Sequence, residues 1–204
     1  MVSRRPEGSQ TGDGSSLDPG LIRWNPESLV YLETVDSTKE EAARLASRPG
    51  WRETLIVADY QTEGKGTRGR IWFAPPGACL LVSLLVCPRS GIPFEQLAGI
   101  LANAVAGGVR ALTGLDAVIK PPNDVMVLGK KVAGVLAEIA ESTEGGPRWV
   151  LSFGLNVGPI EFPPDLIQKA GTLADFCPNL PRREELLNSI LANIEERLGS
   201  GIED

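Results

Sequence analysis

The 204-residue sequence predicts an α+β domain, and three of its features carry that prediction. Short aliphatic and β-branched runs at 29–32, 54–60, 79–87, 117–120 and 149–157 have the length and composition of strands. Two longer stretches, 94–112 and 184–198, repeat their apolar residues at three and four and therefore read as amphipathic helices. Between them, 125–128 and 131–140 are joined by a Gly129-Lys130 turn as a hairpin, which makes antiparallel neighbours.

Taken in order, residues 1 to about 24 are rich in Ser, Gly, Pro and charge. Val2, Leu17, Leu21 and Ile22 are too scattered to promise burial, so a disordered tail is expected before a domain spanning 25–204. Leu29–Leu32 is a strand, and Asp36-Ser37-Thr38 offers N-cap hydroxyls for a helix over Lys39–Ser47, which Pro49-Gly50 ends. On spacing alone, capping is the preferred reading of those hydroxyls. Thr54–Tyr60 is the second strand, and Cys79–Cys87, apolar on both faces, is expected at the centre of a sheet. In the helix from Phe94 to Leu112, Gly107-Gly108 is an interruption and marks a close approach to that sheet. Ala117–Lys120 then runs into Pro121-Pro122-Asn123-Asp124, a turn by composition. Trp149–Val157 is the last strand and Glu184–Leu198 the last helix.

Composition excludes several classes of function. With 42% hydrophobic residues and a net charge of −6, the chain is soluble, globular and long enough for one full core. No apolar run approaches the roughly 18 residues of a membrane span. Arg4 and Arg5 are followed by no apolar segment, so a secretory signal is not expected and the cytoplasm is the expected location. Cys79, Cys87 and Cys177 have no C-x-x-C spacing and the chain contains no histidine, which disfavours structural zinc and leaves buried free thiols. Twenty-six acids against 20 bases disfavour general nucleic-acid binding.

A local exception to this acidity lies in Gln61–Gly77, QTEGKGTRGRIWFAPPG. Gly64, Gly66 and Gly69 have G-x-G-x-x-G spacing, interleaved with Lys65, Thr67 and Arg68 and followed by Arg70 and Trp72. A dinucleotide fingerprint would open a helix, whereas Ile71-Trp72-Phe73 leads to Pro75-Pro76-Gly77 and a strand. A kinase loop requires a His-Arg-Asp partner, and a Walker loop requires G-x-x-x-x-G-K-[ST]; neither is present. Two readings remain open here, an anion-cradling loop and a loop whose glycines only make turns.

Five segments in order resemble biotin protein ligases of the biotin/lipoate ligase superfamily: Asp36-Ser37-Thr38; Gln61–Trp72 with Pro75-x-Gly77; Lys120-x-Pro122-Asn123-Asp124; Gly129–Glu138; and Gly154-Leu155-Asn156-Val157. The similarity covers about residues 28–198. It implies a mixed, largely antiparallel sheet flanked by helices, of the kind shared with class II aminoacyl-tRNA synthetases. It also implies a two-step reaction, in which biotin and ATP with Mg²⁺ give biotinoyl-adenylate and a lysine of a biotin carboxyl carrier domain then takes the acyl group. Lys131 matches the lysine that bridges the biotin carboxylate and the α-phosphate. Lys65, Gly66, Thr67, Arg68 and Gly69, with Gly64, form the loop over the adenylate. Ser37, Thr38 and Gln61 match positions around the biotin head, which reverses the capping preference. Trp72 and Asn123 match positions near the adenylate, and Asp124 orients the metal or the incoming lysine. Gly134, Ser152, Gly154 and Asn156 complete the implied ligand-binding set. The catalytic group is Lys131, Arg68 and Asp124, with no protein-only metal site, and a monomer or homodimer is expected.

The sequence departs from this pattern at several places. Lys65 and Thr67 replace arginines of the loop, Pro121 replaces a tryptophan, Ser152 replaces the first glycine of G-x-G-x-N, and Lys39 replaces an asparagine. Neither the DNA-binding domain nor the small β-barrel of some family members is recognisable. Two alternatives therefore accompany the ligase reading: a weakened paralogue that only binds biotin, and a ligase for lipoate or another acyl acid. The cationic glycine loop is expected to close over its ligand from a mobile empty state.

Overall fold

The computed structural model describes residues 16–24, 28–142 and 145–199, without the side chain of Arg68. Seven strands form one sheet: β1 (Leu29–Val35), β2 (Thr54–Gln61), β3 (Cys79–Val86), β4 (Val118–Lys120), β5 (Asp124–Val127), β6 (Lys130–Ala140) and β7 (Arg148–Asn156). Their spatial order is β1-β2-β3-β7-β6-β5-β4. Only β1 and β2 run parallel, across the helix α1 (Thr38–Ala46); every other pair is antiparallel. The expected mixed, largely antiparallel sheet is thus observed, with β3 interior and all eight of its residues buried.

Strand periodicity sorts the side chains onto two faces. Leu55 and Val57, Leu80, Val82 and Leu84, and Leu151, Phe153 and Leu155 share one apolar core. That core is closed by α2 (Leu97–Thr113) and α3 (Arg183–Leu198). The opposite face carries Ile56, Leu85 and Val150 under α1. Further along the same strands it carries Ser83, Ser152, Gly154 and Asn156. Gly114, left-handed at φ 69°, ends α2 and donates its N–H to the Arg110 carbonyl.

Three expectations are corrected. Gly107 and Gly108 lie within α2 without breaking it, and the close approach they allow is to α3: a Cβ on Gly108 would sit 2.6 Å from Ile190 Cγ1, and one on Gly107 2.5 Å from Asn193 Oδ1. Within residues 16–24, Leu17 and Ile22 are packed into the core, 3% and 7% exposed. The Leu17 N–H donates to Asp59 Oδ1 at 3.2 Å and that of Asp18 to Glu184 Oε1 at 2.8 Å. Partners far along the chain therefore hold apolar residues whose own spacing promises no burial; residues 1–15 lie outside the described residues. Finally, Cys79 and Cys177 are buried free thiols, whereas Cys87 is half-buried. Burial pushes the Cys79 thiol up to about 12.

Among the described residues no helix is long and apolar enough to cross a membrane.

Candidate active site

A hollow of about 360 Å³ opens on the second face of the sheet, between the N-terminus of α1, the β2–β3 loop and strands β5–β7. Its roof is the glycine loop, folded as a small hairpin. Gly66 N–H donates to the Arg70 carbonyl at 2.7 Å, Trp72 N–H to the Gly64 carbonyl at 2.9 Å, and a single 3-10 turn over Thr67–Gly69 forms the tip. Of the three spaced glycines only Gly69 takes a positive φ, 71°. Gly64 and Gly69 do not line the hollow, whereas Lys65, Gly66 and Thr67 do. Gly64 serves packing: a Cβ there would meet Gln61 Nε2 at 2.9 Å. The Arg68 side chain lies outside the described residues.

The floor shows why two strand positions are glycine. Gly134 and Gly154 are directly paired across β6 and β7. Trp72 lies over both, since a Cβ on Gly154 would sit 2.5 Å from its Cε2 and one on Gly134 3.1 Å from its Cζ3. The Trp72 indole N–H is buried without an acceptor among the described residues.

Lys131 reaches this floor because β6 contains a bulge. Asp124 pairs with Gly134 and Val125 with Ala133, but Met126 pairs with Lys131, leaving Val132 as the extra residue. In a regular strand Lys131 would share the face of Ala133 and Val135, the core face. The bulge turns it over, so that Val132 is buried in the core and the ammonium lies 2.5 Å from Asp124 Oδ1 and 5.4 Å from the Trp72 ring centroid. The strand start is clamped by a loop that no motif marked: Lys131 N–H donates to the Lys169 carbonyl at 2.8 Å, and Gly171 N–H to the Lys131 carbonyl at 3.0 Å. Asn156 ties this clamp to the sheet through its Nδ2, 3.0 Å from the Gly171 carbonyl. Asn123 likewise donates to the Val135 carbonyl at 2.9 Å, fixing the turn that follows the cis Pro121–Pro122 bond.

At the inner end, Ser37 occupies the N-cap position of α1 without making a side-chain cap bond. The Thr38 amide and hydroxyl both donate to Gln61 Oε1, at 2.7 and 3.0 Å. The hydroxyls of the Ser-Thr pair are therefore not used for capping, against the reading that spacing alone favours. Next to them Lys39 pairs with Glu138 at 2.9 Å and with Glu40 at 3.4 Å. Burial opposes the Lys39 charge, but the two carboxylates more than offset it and its pKa is raised. Glu40 also meets Lys65 at 3.4 Å, which ties α1 to the roof.

The electrostatic character of the hollow differs from that of the chain. Lys39, Lys65, Arg70, Lys120, Lys131 and Lys169 line it, against the single carboxylate of Asp124 among the described residues. The sequence assigns no binding role to Lys120 or Lys169, and Arg70 enters it only as part of the cationic loop. Their common signal is charge, which one-dimensional spacing cannot gather into one place. Thr67, which costs the loop a cation, holds another one: its hydroxyl accepts from Arg70 Nη2 at 2.8 Å. Such a lining suits a dianionic ligand and its anionic neighbours.

A profile described as the biotin/lipoate A/B protein ligase family matches residues 31–147. The bifunctional ligase/repressor BirA of Bacillus subtilis is 32% identical over 176 residues, covering 84% of this chain and 54% of that protein. The biotin–[acetyl-CoA-carboxylase] ligase of Mycobacterium tuberculosis is 33% identical over 177 residues, covering 83% of this chain and 63% of its own length. The chain thus spans little more than half of such relatives. Among solved structures, a biotin protein ligase from Aquifex aeolicus in complex with biotin and ATP superposes with a TM-score of 0.73 at 32% identity, over 84% of this chain and 70% of that one.

Proposed function

The chain belongs to the biotin/lipoate A/B protein ligase family, and we propose that it joins biotin to a lysine of a biotin carboxyl carrier domain at the expense of ATP. The observation that carries this reading is the cationic hollow of an acidic chain, centred on Lys131 and roofed by the glycine loop. In the first step a biotin carboxylate oxygen attacks the α-phosphorus of ATP and pyrophosphate leaves. Two anions approach one another, so the barrier falls only if fixed positive charge and amide donors follow the developing charge. Lys131 supplies that charge between carboxylate and α-phosphate, having exchanged its contact with Asp124 for the ligand. Lys65, Arg70 and the backbone of Gly66 and Thr67, on the roof, would face the phosphates; the Arg68 side chain, assigned to the same task by the resemblance, lies outside the described residues. Ser37, Thr38, Gln61 and Ser152 hold the acid's head at the inner end. Trp72, Asn123, Gly134, Gly154 and Asn156 form the middle of the pocket.

In the second step the carrier lysine's amine attacks the acyl carbonyl, AMP leaves, and the amine's proton is lost as the amide forms. The leaving group is already activated and the nucleophile belongs to the partner, so no histidine is needed. Among the described residues no group of three or more acidic or thiol side chains could cage a metal. Asp124, the carboxylate that lines the hollow, would suit one ligand position of a Mg²⁺ arriving on the phosphates, whose charge the ion would partly neutralise.

The decisive experiment is exchange of labelled pyrophosphate into ATP. Exchange that depends on biotin supports this reading. Exchange with lipoate alone, or biotin binding without any exchange, overturns it in favour of a different acyl acid or a binding module.

A further inference from the structure

Hydroxyl groups at the inner end of the hollow form a chain whose direction is fixed at one end. The Thr38 amide can only donate, so the Gln61 atom 2.7 Å from it is the carbonyl oxygen Oε1. The Thr38 hydroxyl, 3.0 Å from the same oxygen, commits its one proton there. Thr38 Oγ1 can then only accept from Ser83 Oγ, 2.8 Å away. Ser83 has thereby used its own proton, and at the last link, also 2.8 Å, it accepts from Ser152. The protons run Ser152 to Ser83 to Thr38 to Gln61.

The consequence is a defined polarity facing the ligand. Ser152 lines the hollow with lone pairs and no free proton, while Gln61 Nε2 offers two N–H groups that no acceptor among the described residues takes. Ser83 itself is fully buried in the middle of β3 and touches no ligand; it sets the orientation of Ser152.

We infer that Ser83, acting through Ser152, determines the class of acid this site accepts: one whose head presents an N–H donor toward Ser152 and a carbonyl-type acceptor toward Gln61, as a cyclic urea or lactam does. A dithiolane head of similar size leaves both ends unpaired and is rejected, because an unmade hydrogen bond in a desolvated pocket costs more than a made one gains. This inference rests on the ligase reading above and sharpens its choice of substrate. It also gives Ser152, a departure from the family's usual glycine, a positive role.

The test is calorimetric titration of the full chain with biotin and with its cyclic-carbonate analogue, which keeps shape and carbonyl but replaces both N–H groups by oxygen. The wild-type chain is expected to prefer biotin by about tenfold or more. In Ser83→Ala the Ser152 proton is released toward the pocket, and the preference should fall below about threefold. Ser83→Cys, which restores a weak donor and acceptor, should recover part of it. Ser152→Ala, at a partly exposed position, provides the same readout should Ser83→Ala not fold. A wild-type preference that persists in Ser152→Ala overturns the inference and leaves the ligase reading standing. Failure of the wild-type chain to bind biotin overturns both.

Discussion

The two faces of the sheet are made from the same strands and differ by one residue of register. On the face toward α2 and α3, β7 presents Leu151, Phe153 and Leu155; on the other face it presents Ser152, Gly154 and Asn156. The first set is close-packed apolar volume and the second is nearly free of it. Even the glycines divide in this way. Gly108 lets two helices touch, whereas Gly134 and Gly154 make room for an indole carried by a loop. The lesson is that a strand can commit one side wholly to stability and reserve the other for chemistry, so substitutions one residue apart should report on different properties.

Lys131→Ala gives the largest expected separation. Removing the charge should lower biotin-dependent pyrophosphate exchange by about a hundredfold to a thousandfold, or about 3–4 kcal/mol in barrier. Denaturant unfolding should change little, because the side chain is partly exposed. Near-normal exchange in the mutant would break the comparison, since the charged face would then not be doing the chemistry.

A paired glycine experiment sharpens it. Gly108→Ala places a methyl 3.0 Å from the Ile190 backbone nitrogen as well as against its side chain, so α2 and α3 must move apart. A loss of about 1–3 kcal/mol in unfolding free energy is expected, with ligand affinity retained. In Gly154→Ala the nearest atoms met belong to the Trp72 ring, which is carried by a loop and can lift. That variant should retain its stability to within about 1 kcal/mol, yet bind ligand about tenfold more weakly and show altered tryptophan fluorescence. If both variants lose stability equally, the two faces are not independent.

The smallest effect lies at the rim. The Arg44 guanidinium beside Asp36 holds that carboxyl at about 2, below its usual 3.8. Because the folded-state value is depressed, the pair's contribution is complete above pH 4 and is lost as pH falls from about 4 to about 2. Both side chains are well exposed and solvent-screened, so the contribution is below about 1 kcal/mol. Urea unfolding of the wild-type chain and of Asp36→Asn should therefore differ at pH 6 and converge at pH 2.

Much of this architecture was legible in the sequence because short aliphatic and β-branched runs and helical periodicity report burial directly. Strands β1 to β7 and the three helices fall within a few residues of their expected places. What could not be read depends on contacts between distant segments. Gly107-Gly108 announces a close approach without naming its partner, which is α3 rather than the sheet. Leu17 and Ile22 are buried because Asp59, Glu184 and Asn188 hold the chain that carries them. The Lys169–Gly171 clamp has no periodicity of its own, and the cations at 120 and 169 join the cationic loop only in three dimensions. In the site, Ser37, Thr38, Gln61, Trp72 and Lys131 do gather around one hollow, whereas Gly64 and Gly69 shape the roof from outside it.

The extra residue in β6 means that the Lys131 ammonium is positioned by arithmetic. Val132 contributes no functional group, yet its presence decides on which side of the sheet the preceding side chain emerges. A homologue shortened by that single residue could keep every recognisable letter of the segment and still carry its lysine into hydrocarbon. For this fold, the number of residues between lysine and glycine is therefore as informative about activity as their identities.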